Sequence, residues 1–101
     1  IETLARLPEG HMADGMKFDS VGRLWVTTVK GGGFDVLDLE TGKMEFVACP
    51  HYPLNCVFAG ETLLVTDRGL WDDSLPDVSR NGRLVALHVG ITGQPLFRGR
   101  L

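Results

Sequence analysis

Arg23-Leu24-Trp25-Val26-Thr27-Thr28-Val29 decides the fold. It is short, β-branched and aromatic, and Gly22 bounds it, which is how a strand reads. Working outward, Gly33-Phe34-Asp35-Val36-Leu37-Asp38-Leu39 and Lys43-Met44-Glu45-Phe46-Val47 follow with the same character. Cys56-Val57-Phe58-Ala59, Thr62-Leu63-Leu64-Val65-Thr66 and Arg83-Leu84-Val85-Ala86-Leu87-His88-Val89 continue it. Gly, Asp, Asn or Pro separates each from the next. No dozen residues keep a helical period without a glycine or proline, so the chain reads as all-β.

The turns support that reading. Asp19-Ser20-Val21-Gly22 suits a tight turn, with Asp first and Gly last. Glu40-Thr41-Gly42 joins two strand-like runs, with Gly42 supplying a positive φ. Asn81-Gly82 opens a strand.

The chain also repeats. Gly22-Arg23-Leu24-Trp25-Val26-Thr27-Thr28 resembles Glu61-Thr62-Leu63-Leu64-Val65-Thr66-Asp67 at an offset of 39 residues. Gly33-Phe34-Asp35-Val36-Leu37 answers Gly82-Arg83-Leu84-Val85-Ala86-Leu87, and Thr41-Gly42-Lys43 answers Thr92-Gly93-Gln94. Upstream, Asp14-Gly15-Met16 stands where the second copy has Asn55-Cys56-Val57. A period of this size with four short strands is that of propeller blades. The second copy carries an insertion from Arg68 to Arg80, expected as a long loop at one end of its blade.

Composition limits function. A chain of 101 residues makes one small domain. With 44% hydrophobic and 23% charged residues it is not a disordered chain. A net charge of −3 does not suit a phosphate-binding surface, which argues against a nucleic-acid partner. No apolar run reaches the roughly 20 residues of a membrane-spanning helix. Cys49 and Cys56 have no CxxC or zinc-finger spacing, and read as two buried thiols, with a disulfide left open. The chain starts at Ile1 without a Met, so it reads as a piece of a longer protein.

Ala13-Asp14-Gly15-Met16-Lys17-Phe18-Asp19-Ser20-Val21-Gly22-Arg23-Leu24-Trp25-Val26 resembles the "DGM…D…G.LWV" segment of the SMP-30/gluconolactonase family. Asn55-Cys56-Val57-Phe58-Ala59-Gly60 is similar to that family's next central-strand segment. Leu64-Val65-Thr66-Asp67 and Asn81-Gly82-Arg83-Leu84 resemble its closing stretch. The resemblance implies two four-stranded antiparallel blades of a six-bladed β-propeller. Residues 1–10 would be the outer strand of a preceding blade, 11–50 the first blade here, and 51–101 the second, with its long loop at 68–80. It also implies a divalent cation at the mouth of the central channel, Ca²⁺ before Zn²⁺, Mg²⁺ or Mn²⁺, and hydrolysis of sugar lactones or related esters.

The resemblance assigns Asp14 as metal ligand and general base. A carboxylate is a hard oxygen ligand, suited to Ca²⁺ or Mg²⁺. By itself Asp-Gly is also a common turn pair. The family's other ligands, a Glu and Asn residues of earlier blades, have no counterpart here. Asn55, aligned with Asp14 by the repeat, is expected at the channel mouth as a substrate contact, or as a strand-entry Asn. His11 and His51 precede these two positions by three and four residues and are candidate substrate contacts on the surrounding loops, or solvated loop histidines. His88 and Trp25 read as structural. Trp71, Asp72, Asp73 and Asp77 on the insertion read as a lid or as a solvated loop. The absence of a Gly-x-Ser-x-Gly or His-Glu-x-x-His motif disfavours serine-hydrolase and zincin chemistry.

Two further readings stand beside a hydrolase. One is a propeller remnant without catalysis that serves as a binding or structural module. The other is a ring closed by self-association, three two-blade chains completing six blades. Otherwise the partners are a small lactone or ester substrate and the remainder of a longer propeller.

Overall fold

The computed structural model describes residues 1–49, 52–69 and 82–95. Four strands, β1 (Ala13–Phe18), β2 (Leu24–Thr28), β3 (Gly33–Leu37) and β4 (Met44–Ala48), form one antiparallel sheet in sequence order. Three more, β5 (Pro53–Ala59), β6 (Thr62–Asp67) and β7 (Arg83–His88), form a second. There is no helix among the described residues. Six of the seven strands lie on runs that the sequence marks, with β5 beginning at Pro53, three residues before Cys56; β1 lies outside those runs, on the Asp14-Gly15-Met16 segment.

The hairpins follow from their turn residues. Gly22, at φ +88°, closes β1 to β2, and its N–H donates to Asp19 O at 3.1 Å. Asp19 does more than begin the turn. Its fully buried carboxylate accepts from Val21 N, Arg23 N, Arg23 Nε and Trp25 Nε1 at 2.8–3.1 Å. Four donors offset the cost of burying that charge. Gly42, at φ +75°, closes β3 to β4 over Asp38, whose Oδ1 accepts from Glu40 N and Thr41 N.

Strand register decides which side chains meet. Lys17, Trp25, Val36 and Glu45 stand in one row across the first sheet, with Thr27, Phe34 and Val47 on the same face. In the second sheet Cys56, Val65 and Val85 share a face with Phe58, Leu63 and Leu87. These two faces pack together. The core is the seam between them, built from Trp25, Phe34, Val36, Cys49, Cys56, Leu63 and Val65. Trp25 meets Phe34 and Phe58 edge-on, each with ring centroids 5.9 Å apart.

Residues 1–10 form no strand among the described residues. The second sheet shows three strands among the described residues. One expectation changes. Thr92-Gly93-Gln94 does not repeat the hairpin of Thr41-Gly42-Lys43. It crosses to the other sheet, where Ser20 N donates to Thr92 O at 2.7 Å and Gln94 N to Phe18 O at 3.0 Å. Gly93 makes room for this crossing, because a Cβ there would overlap the Phe58 side chain.

Candidate functional site

The first strand of each sheet is the one nearest the other sheet's first strand, and both carry a bulge at the same level. In β1, Ala13 faces Thr28 and Met16 faces Val26, so Asp14 and Gly15 together oppose Thr27. In β5, Pro53 faces Asp67 and Asn55 faces Thr66, which leaves Leu54 as the extra residue. A bulge re-aims side chains and is common beside functional sites.

The register also corrects the repeat. Met16 faces Val26, and Cys56 faces the equivalent Val65, so Cys56 matches Met16. Asn55 therefore matches Gly15, and Leu54 matches Asp14, one residue from the sequence alignment. The sequence alignment offsets the first strands by 41 residues, whereas the register offsets them by 40 and the second strands by 39.

The two bulges touch. A Cβ on Gly15 would fall on the side-chain oxygen and Cα of Asn55, so only glycine fits there. The Thr27 hydroxyl lies 3.0 Å from Gly15 O and 2.9 Å from Leu54 O and donates between them, tying the two inner strands together. Asn55 Oδ1 accepts from Cys56 N at 2.9 Å, which fixes its amide at the seam. Asp14 is exposed, with no hydrogen bond among the described residues.

His11 is held elsewhere. Its Nδ1 lies 2.7 Å from Asp35 Oδ2, and Asp35 is only 1% exposed. The imidazole packs on Phe46 of β4 at 5.8 Å between centroids. Asp35 is on β3, two strands from β1, or about 10 Å at normal strand spacing. The His11 ring is held by Asp35 rather than by Asp14. This makes His11 an anchor of the N-terminal segment on the outer face of the first sheet. His88 pairs with Thr62 Oγ1 at 2.8 Å across an exposed strand pair. His51, Trp71, Asp72, Asp73 and Asp77 lie outside the described residues.

Asp67 guards the base of the insertion. Its Oδ1 accepts from Gly69 N at 2.6 Å and Tyr52 N at 3.3 Å, and Arg83 approaches Oδ2 at 3.7 Å. Arg68 lies over the Tyr52 ring, 5.2 Å from its centroid. Burial raises the thiol of Cys56 to a pKa of about 11, with the charge of Lys17 lowering it only in part. Cys49 is raised too, first by burial and then by the Asp67 charge. Both are free thiols in the core rather than nucleophiles or ligands.

No group of three or more His, Cys, Asp or Glu residues able to hold a metal exists among the described residues. At the bulges the donors are the Asp14 carboxylate and the amide oxygen of Asn55. That is part of a hard-cation site, which takes six to eight oxygens for Ca²⁺.

Two adjoining antiparallel sheets, each ordered outward from an inner strand and packed face to face, are blades of a β-propeller. A family model, the SMP-30/Gluconolactonase/LRE-like region, matches residues 2–67, and the chain belongs to this family. Among solved structures it is similar to a luciferin-regenerating enzyme, with a TM-score of 0.62 and 25% identity. The likeness covers 81% of this chain and 30% of that enzyme's chain, so this chain spans less than a third of its length. No curated protein matches.

Proposed function

We propose that this chain is part of a metal-dependent, lactonase-like hydrolase acting on sugar lactones or related esters. The observation that carries this is Asp14, exposed on a bulge of the innermost strand, with Asn55 seated against the adjoining Gly15. Asp14 is the ligand this chain offers to a divalent cation, Ca²⁺ by its hard oxygen chemistry. Such a cation, when bound, polarises an ester carbonyl and lowers the pKa of water. Asp14 takes the proton from the attacking water, and Asn55 Nδ2, which donates to no partner among the described residues, is a donor that can hold a substrate oxygen. Replacing Asp14 by Asn tests this: lactone hydrolysis should fall by about a hundredfold or more, the order expected of a general base. Unchanged hydrolysis would reject the assignment.

The outer faces favour a second feature, completion by further blades. Met16 is 57% exposed on the outer face of the first sheet and Leu84 is 71% exposed on that of the second. Phe46 and Val57 are exposed on the same two faces. Apolar sheet faces of this kind are covered by neighbouring blades, either of a longer chain or of other copies. Three copies would place three Asp14 carboxylates around one channel. Light scattering decides: a discrete trimer supports closure by assembly, and a monomer rejects it. A propeller remnant that binds without catalysis would keep its fold and ligand but show no lactone hydrolysis.

A further inference from the structure

We infer that His11 and Asp35 are positioning residues for Asp14, holding in place the chain that enters β1. The effect on rate rests on the hydrolase reading of Asp14; the effect on structure does not. Asp14 is the second residue of β1, and its backbone is held on both sides. Downstream, Gly15 packs against Asn55, and its carbonyl accepts from Thr27 Oγ1 at 3.0 Å. Upstream, Ala13 faces Thr28, and Met12 O accepts from Val29 N at 3.0 Å. Before Met12 the ladder ends, and residues 1–10 form no strand among the described residues. The next hold is the His11 side chain.

Asp35 stands in the row Met16, Val26, Asp35 and Phe46 across the first sheet. It is the carboxylate of an otherwise apolar row and is only 1% exposed. A buried charge there costs stability unless a donor meets it. His11 is that donor. A carboxylate oxygen accepts, so the hydrogen lies on Nδ1, which donates to Asp35 Oδ2 at 2.7 Å. The imidazole also packs on Phe46, and a Cβ on Gly31 would stand 3.0 Å from its Cδ2. Apolar contact alone tolerates slip, whereas a directional bond to a buried carboxylate fixes one placement. Three residues on, that placement sets where the Asp14 backbone stands. A general base tolerates little displacement, since about 1 Å costs on the order of a hundredfold in rate.

Two readouts test this on the isotope-labelled, assembled protein: amide resonances without metal, and gluconolactone hydrolysis with Ca²⁺. His11→Ala should speed exchange of the Val29 amide about tenfold and move the Asp14 amide resonance, with exchange at Trp25 and Val36 unchanged. In hydrolysis kcat should fall about tenfold or more, with KM little altered. His11→Asn puts an N–H where Nδ1 stood and should restore both readouts. His11→Ala alone leaves the Asp35 charge buried without its donor. The double variant His11→Ala, Asp35→Val removes both partners, keeps the strand, and should still show the Val29 and Asp14 changes. An unmoved Asp14 resonance and unchanged Val29 exchange in that double variant would overturn the inference. So would exchange quickened equally at Val29, Trp25 and Val36, which would make the pair a general source of stability. Full kcat in His11→Ala beside an inactive Asp14→Asn would overturn the positioning role and leave the hydrolase reading standing. Hydrolysis undiminished in Asp14→Asn would reject that reading instead, and the metal-free resonances would still decide whether His11 and Asp35 place Asp14.

Discussion

Asn55 closes on Gly15 until its Cα would stand only 2.9 Å from a Cβ placed there. This contact joins the two inner strands at their bulges, one residue from Asp14. Gly15 shows no positive φ, so its requirement for glycine is steric rather than conformational.

Gly15→Ala should therefore destabilise the chain by about 1–3 kcal/mol through overpacking, read from the urea midpoint. Gly22→Ala provides the contrast. A Cβ there meets nothing within 4 Å, but φ is +88°, so its cost is backbone strain of about 1 kcal/mol. Asn55→Gly should relieve part of the Gly15→Ala penalty and none of the Gly22→Ala penalty. Additive penalties at Gly15 and Asn55 would show that the contact carries no coupling.

Thr27→Val keeps the shape and removes the hydroxyl shared by Gly15 O and Leu54 O. The expected loss is about 1–3 kcal/mol, since two carbonyls then lack their donor. Amide exchange should speed at β1 and β5 more than at β4. A uniform change would indicate that Thr27 only fills space.

Acid should unfold the first sheet through Asp19. Burial tends to raise its carboxyl pKa. Hydrogen bonds from Trp25 and Arg23 and the guanidinium charge outweigh burial and hold it below the ordinary carboxylate range. A lowered folded pKa means stability present above the unfolded value, about 3.9, and lost as pH falls through the folded one. Asp19→Asn should be less stable at neutral pH and show a flatter pH dependence below about pH 4. Denaturant midpoints across that range check it; parallel curves for the two proteins would assign the acid transition elsewhere.

The thiols should be silent in the folded chain. With Cys56 raised to about 11 and Cys49 also raised, neither forms thiolate at neutral pH. A disulfide-exchange reagent should titrate no thiol in the native state and both in denaturant. Rapid native reaction at either would show that the seam opens.

Much of the fold was legible because strand period and turn chemistry are local. Arg23-Leu24-Trp25-Val26-Thr27-Thr28 announces β2, and Glu40-Thr41-Gly42 the hairpin of β3 and β4. The bulges were not legible. An inserted residue leaves no composition signal, and so Asn55 was aligned with Asp14 when it stands opposite Gly15. His11 shows a second limit. Its distance from Asp14 in sequence is three residues, yet Asp35, 24 residues away, holds its ring. Asp35 lies within an otherwise apolar run, Phe34-Asp35-Val36, and a carboxylate there signals a buried partner. Sequence could not say which partner, because tertiary packing chooses it.

The most direct test of the hydrolase assignment is the rate of gluconolactone hydrolysis with and without Ca²⁺, for the chain and for Asp14→Asn. It should be made on the assembled protein, with mass fixed by light scattering. The account predicts hydrolysis that chelation abolishes and Ca²⁺ restores, and a loss of about a hundredfold or more in Asp14→Asn. Hydrolysis indifferent to Ca²⁺, or undiminished in Asp14→Asn, would contradict it.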